Sequence, residues 1–288
     1  MLSGTISERL QAKSDALTRA ERQLADAIME NYPVSGLGSI TSVAHKAGVS
    51  TPTVARLVQK LGFKGFPGFQ KQLRKELEAK ISGPIAKYDK WAGDAPDTHI
   101  LNRFTDAVMK NIKKSLAQID PATFDATCKL LADEQRTIYV VGGRITRALA
   151  DYFFLHMQVI RPNVTHIQSI SNAWPHYLLN VKKGDVIVIF DVRRYENSTL
   201  KLAEMAANKG ATIILMTDQW ISPISQFTDL VFSSRIVVPS AWDSSVASLL
   251  LLETILAEVQ ELIWPHTRSR MQELEDMFDK TKFFRKFT

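Results

Sequence analysis

Three short runs rich in β-branched and other apolar residues constrain this chain more than anything else in it: Thr137-Ile138-Tyr139-Val140-Val141, Val186-Ile187-Val188-Ile189-Phe190 and Thr212-Ile213-Ile214-Leu215-Met216. Each is too short for a buried helix and lacks polar alternation, so each reads as a strand covered on both faces. Helical spacing fills the stretches between and after them, at residues 147–159, 198–209 and 244–262. Leu230-Val231-Phe232 and Ile236-Val237-Val238 read as two shorter strands. Strands and helices that alternate in this way imply a parallel sheet wrapped by helices. Nothing before Arg136 has this rhythm. From Ile6 to about Lys80 apolar residues recur every three or four positions, which predicts helices over 18–31, 39–48, 50–61 and 66–79. Gly83, Pro84, Gly93 and Pro96 mark a linker, and further helices are predicted over 100–118 and 121–132. The expected organisation is two-domain: an all-α unit over 1–80, a linker over 81–99, an α/β parallel-sheet unit over 100–265, and a charged helical tail over 266–288.

The two parts also differ in charge. The formal net charge is +6. Residues 1–90 hold 14 Lys or Arg against 8 Asp or Glu, while residues 91–288 hold 22 of each, so the whole excess sits in the helical part. No acidic residue falls between Glu30 and Glu76, whereas Lys46, Arg56, Lys60, Lys64, Lys71, Arg74 and Lys75 do. A basic run is usually a solvated face, but an acid-free stretch of this length favours a polyanionic partner. With 45% hydrophobic and 23% charged residues, the chain can bury substantial cores and is not a disordered one. No run of about 18 uninterrupted apolar residues is present. The N-terminus has no apolar signal core, so a cytoplasmic protein is expected. A single cysteine, Cys128, excludes an internal disulfide and a cysteine-based zinc site. No His or carboxylate cluster has ligand spacing, and neither metal nor cofactor is expected.

The most specific local pattern runs from Ser39 to Leu57 and meets the steric needs of a helix-turn-helix. Ala44 is small where two helices would cross, and Gly48 can take positive φ in the turn between them. Ser50 is a suitable N-cap, and Pro52 is tolerated in a first turn whose amides have no intrahelical partner. Val49, Val54 and Leu57 would pack the second helix inward. Ser50, Thr51, Thr53, Arg56, Gln59 and Lys60 are then expected on or beside its outer face. The N-terminal part of such a helix enters the DNA major groove, where Thr51, Thr53 and Arg56 would meet bases or phosphates. Lys60 and Lys64 are better placed for backbone contact.

Val49-Ser50, Thr53-Val54, Arg56 and the segment Lys60-Leu61-Gly62-Phe63-Lys64-Gly65-Phe66-Pro67 resemble the DNA-binding domain of RpiR/MurR-type transcriptional regulators. The resemblance extends over nearly the whole chain and implies a C-terminal SIS (sugar-isomerase-like) domain, a flavodoxin-like sandwich. In that family the domain senses a phosphosugar or related metabolite; here it is also expected to mediate self-association, as a homodimer or homotetramer. The family's G-x-G-x-S loop stands here as Gly142-Gly143-Arg144-Ile145-Thr146, with Arg144 for the second glycine and Thr146 for the serine. The S-x-S-G-x-T loop is more altered: in Asp191-Val192-Arg193-Arg194, Asp191 and Arg193 replace the serines and Arg194 the glycine, with Ser198 following. Thr217-Asp218 and the segment carrying Asp243-Ser244 complete the expected effector crevice.

Two alternatives stay open for the loops. Arg144, Arg193 and Arg194 bind an anionic effector (a phosphate, a carboxylate or an acidic metabolite), or they pair with Asp191, Glu196 or Asp218 and the pocket is degenerate. The competing class is a sugar-phosphate isomerase with a fused helical domain. It would need a general base, and Glu196, Asp243, His166 and His176 are the only candidates, none spaced as an acid/base pair. A non-enzymatic, DNA-binding regulator is therefore expected, with no catalytic residue.

Overall fold

The structure, a computed structural model, describes residues 4–93, 99–168 and 171–284. The N-terminal unit comprises α1 (Ile6–Gln11), α2 (Arg19–Met29), α3 (Ile40–Lys46), α4 (Thr51–Lys60) and α5 (Phe66–Ile81). Both α1 and α2 open with capping boxes, Thr5 with Glu8 and Thr18 with Glu21, which satisfy amides that the helix cannot. The apolar stripes converge on one core around Ile6, Leu24, Ile28, Val54, Leu57, Leu61, Phe69 and Leu73. The Leu61–Pro67 segment is part of that core's architecture. Phe63 meets Phe69 edge-on with ring centroids 5.7 Å apart, and the Arg9 guanidinium lies 4.6 Å from the Phe63 ring centroid.

The expected linker is not irregular throughout, since α6 (Pro84–Gly93) occupies half of it. Residues 94–98 lie outside the described residues. Then come α7 (Ile100–Leu116), α8 (Pro121–Ala132), β1 (Ile138–Gly142), α9 (Arg147–Ile160), β2 (Val164–His166), α10 (Trp174–Asn180), β3 (Val186–Phe190), α11 (Asn197–Asn208), β4 (Thr212–Asp218), β5 (Val231–Ser234), α12 (Val246–Leu262) and α13 (Trp264–Thr281). The sheet order is β2-β1-β3-β4-β5 and every pairing is parallel. Continuous apolar strands are required because both faces are covered. Ile138, Val140, Val188, Phe190, Ile214 and Met216 face α9 and α12, while Tyr139, Val141, Ile187, Ile189, Ile213 and Leu215 face α10 and α11.

Two expectations need correction, and one strand has no counterpart in the sequence reading. Ile236-Val237-Val238 is not a strand: Asn111 Nδ2 donates to Val237 O at 2.8 Å and Ser244 N to Ile236 O at 2.9 Å, so a side chain and a loop satisfy this segment. The three-residue β2 carries too little apolar signal to stand out in sequence. The tail helix begins at Trp264, and it docks on α9 through Thr267 Oγ1 to Ile160 O (3.1 Å) and Arg270 Nη2 to Gln158 O (2.7 Å). Residues 285–288 of the tail lie outside the described residues. Among the described residues, no helix is long and apolar enough to cross a membrane.

Candidate functional site

The helix-turn-helix is α3 and α4. Gly48 between them has φ +63°, and its N–H donates to His45 O at 3.1 Å. Ser50 Oγ accepts from Thr53 N at 3.3 Å, and Pro52 sits in the first turn of α4. Ala44, Val54 and Leu57 are buried at the crossing. Outward, α4 presents Pro52, Arg56 and Gln59 at i, i+4 and i+7, with Ser50 at its start and Lys64 just beyond it. Thr51 is half-buried.

Two expected DNA-facing residues are placed otherwise. Thr53 is only 5% exposed, and its hydroxyl lies 2.9 Å from Ser50 Oγ and 3.3 Å from Arg56 Nη2. It therefore holds the cap and steadies Arg56. Lys60 points back to α2, where Nζ donates to Glu21 Oε2 at 2.6 Å and Ala16 O at 2.9 Å. Local spacing placed both outside because Glu21 lies on another helix and nothing in the α4 spacing shows that the Thr53 hydroxyl turns back to Ser50.

The second site lies at the carboxyl ends of β1, β3 and β4, the position at which open α/β sheets bind ligands. Gly142 ends β1, and its missing side chain lets the first turn of α9 approach. A Cβ there would lie 2.6 Å from Thr146 O and 2.7 Å from Arg147 N. Gly142→Ala is accordingly expected to lower stability by about 1–3 kcal/mol. A thermal melt checks it, and an unchanged melting temperature would show that α9 can move. Thr146 Oγ1 accepts from Gly143 N at 2.8 Å and donates to Phe190 O at 2.7 Å, so its hydroxyl ties β1's loop to β3. The exposed Arg144 donates its backbone N–H to Glu196 Oε1 at 2.8 Å, so the chain's own carboxylate sits on the loop amide. Ser198 Oγ is 3.4 Å from the other Glu196 oxygen.

Behind this surface lies a closed polar network. Asp191 Oδ2 accepts from Ser222 Oγ at 2.5 Å and Oδ1 from Thr199 Oγ1 at 3.3 Å, while burial pushes its pKa up to about 6. Thr217 Oγ1 donates to Asp191 O at 2.8 Å. Asp218 is fully buried, which raises its pKa. It accepts from Arg193 N (2.6 Å), Trp220 N (2.8 Å) and Tyr195 Oη (2.8 Å). Asp191, Thr217 and the nearly buried Ser244, all expected to meet an effector, instead hold the loops in place.

The three arginines part company. Arg193 pairs with Asp243 through Nε to Oδ2 (2.8 Å) and Nη2 to Oδ1 (2.5 Å), donates from Nη1 to Ala79 O (2.5 Å), and stacks 4.5 Å from the Trp220 ring centroid. The guanidinium thus pairs with none of Asp191, Glu196 and Asp218, although the Arg193 amide does donate to Asp218. Arg144 and Arg194 remain exposed. Sequence reasoning passed over Lys80, Lys87 and Trp220, which the fold brings to the same place. No local motif announces them, because the two lysines arrive from the helical half.

The general-base candidates are not brought together as an acid/base pair. His166 stacks on Phe154 with centroids 5.5 Å apart, beside Asp151 at 3.3 Å, and His176 lies exposed on α10. Cys128 is buried, and burial pushes its thiol up to about 12.

A helix-turn-helix head joined to a parallel-sheet module is the architecture of a transcriptional regulator, and relatives that it matches bear that name rather than an isomerase's. The helix-turn-helix domain of the rpiR family matches residues 4–80, and the SIS domain matches residues 130–257. The chain belongs to the RpiR-type regulators. An HTH-type transcriptional regulator of Clostridium perfringens is 24% identical over 261 residues, covering 88% of this chain and 91% of that protein. HexR, an HTH-type transcriptional regulator of Pseudomonas aeruginosa, is 24% identical over 218 residues, 73% of this chain and 72% of its own length. Among solved structures, the NanR protein of Vibrio vulnificus complexed with ManNAc-6P superposes with a TM-score of 0.55 at 17% identity, over 96% of this chain and 98% of that one.

Proposed function

We propose that this regulator reads operator DNA through Ser50, Thr51, Arg56, Gln59 and Lys64, and responds to an anionic metabolite of the phosphosugar class at the carboxyl ends of β1, β3 and β4. The observation that carries the reading is the exposed Arg56–Gln59 face of a capped recognition helix, on a head whose neighbouring chain has no acid from Asn31 to Lys75. The ligand-bound state of the NanR relative and the exposed Arg144 and Arg194 support the sensing half. The domains are assigned as 1–80 for DNA, 100–265 for effector and oligomer contacts, and 266–288 as a tail that carries most of α13, in a cytoplasmic protein.

The protein acts as a homodimer or homotetramer. Ile81 is exposed at the end of α5 and Ile85 and Tyr88 on α6, and α7 exposes Leu101, Met109 and Leu116 while burying Asn111 and Ser115. Helices that turn polar groups inward and apolar ones outward are ready to pack on another copy.

The test is a salt-dependent titration of the full-length protein on its own upstream DNA against scrambled duplex. Arg56→Ala is expected to cost about 1–3 kcal/mol on the specific sequence only. Lys64→Ala is expected to weaken all sequences alike and to lower the salt slope by about one. Equal affinity of the two duplexes, unaltered by Arg56→Ala, would sink the assignment of this face.

A further inference from the structure

We infer that the anion site at the sheet ends is completed by Lys80, at the end of the DNA-binding unit, and Lys87, on α6 of the linker, and that Asp243 holds the place of a ligand's phosphate there. The inference rests on the anion-sensing reading above. Lys87 Nζ donates to Asp243 Oδ1 at 2.6 Å, and Arg193 grips both oxygens of the same carboxylate. Two cations thus share one anion, and Arg194 stands exposed nearby, its guanidinium packed so close to Gly83 that a Cβ there would lie 2.8 Å from Nη2. Lys80 stands behind them. Its ammonium donates to Tyr32 O at 2.8 Å, lies 4.8 Å from the Tyr195 ring centroid and is 3.5 Å from the carbonyls of Trp220 and Ile221. Burial lowers the pKa of both lysines.

Of the three aspartates around these cations, only one can leave. Asp191 and Asp218 are buried and satisfied by hydroxyls and amides. The Asp243 side chain is 24% exposed and lies on the irregular segment between β5 and α12. A phosphate monoester carries about −1.5 to −2 at neutral pH and offers three acceptor oxygens. It therefore neutralises what a single carboxylate leaves over, whereas a monoanionic carboxylate gains nothing over Asp243. The site selects phosphate monoesters over carboxylic acids. It also ties ligand to DNA head, because Lys80 ends α5, Lys87 lies on α6, and Ala79 O is held by Arg193. A ligand that takes these donors biases how the head is held, which is the differential contact a coupled response requires.

Isothermal titration of the full-length protein with inorganic phosphate, and separately with acetate, tests this. Phosphate is expected to bind and acetate is not. Asp243→Asn, which removes the internal competitor, is expected to tighten phosphate about tenfold, and Lys87→Met or Lys80→Met to weaken it by roughly tenfold or more. Lys129→Met, on the exposed side of α8, leaves it unchanged. A gain in Asp243→Asn cannot arise from misfolding. Phosphate binding that is indifferent to all three changes, weaker in Asp243→Asn, or matched by acetate overturns this inference and leaves the sensing reading standing. No phosphate binding by either the wild type or Asp243→Asn overturns both.

Discussion

Arg161→Leu is expected to lower the stability of the folded protein by about 3–5 kcal/mol, more than any loss at the binding surfaces. Arg161 is wholly buried at the end of α9. Its Nη1 donates to Leu131 O at 2.7 Å and Asp133 O at 2.8 Å, its Nε to Pro162 O at 3.1 Å, and its Nη2 to Arg136 O. The charge is tolerated there because these carbonyls include the last ones of α8, where the helix dipole favours a cation. Leucine fills the space but strands several buried acceptors, each costing about 1–3 kcal/mol. Chemical denaturation of the full-length protein gives the difference. A loss under about 1 kcal/mol would mean that water reaches these carbonyls once the guanidinium is gone.

Glu76→Gln is expected to make the protein more stable than wild type at about pH 9 by about 2–4 kcal/mol, with the two converging near pH 4–5. Glu76 is 3% exposed within α5. Its Oε1 accepts from Ile6 N at 3.0 Å and Gln72 Nε2 at 2.7 Å, and Tyr32 donates its hydroxyl to Oε2. Burial foremost, and the Glu8 carboxylate in addition, push its pKa from 4.5 up to about 8. The folded protein therefore keeps a proton that the unfolded chain has already released. Stability is whole below about pH 4.5, drains as pH rises towards 8, and levels off above that. A glutamine carries no such proton and shows no such slope. Melting temperatures of both proteins across this window decide the matter, and parallel curves would mean that Glu76 ionises without hindrance.

The layer architecture was legible in the order and periodicity of the chain, because burial on both faces forces strands to be apolar throughout and helices to repeat every three or four residues. The cap at Ser50, the turn at Gly48 and the inward Val54 and Leu57 were legible for the same reason: each is a local requirement of backbone geometry. Local spacing failed where the answer depended on a distant partner. Lys60 looked outward until α2 supplied Glu21, and Arg193 looked unpaired until Asp243 arrived from fifty residues on. Ile236-Val237-Val238 had the composition of a strand yet joins no ladder, because Asn111 on α7 takes the Val237 carbonyl and the Ser244 amide takes that of Ile236. The tertiary structure alone decided that Lys80 and Lys87 stand at the carboxyl ends of the sheet. Charge pairing and hydrogen bonding act over a few ångströms in space, whatever the separation along the chain, so no window of sequence holds both halves of such a contact.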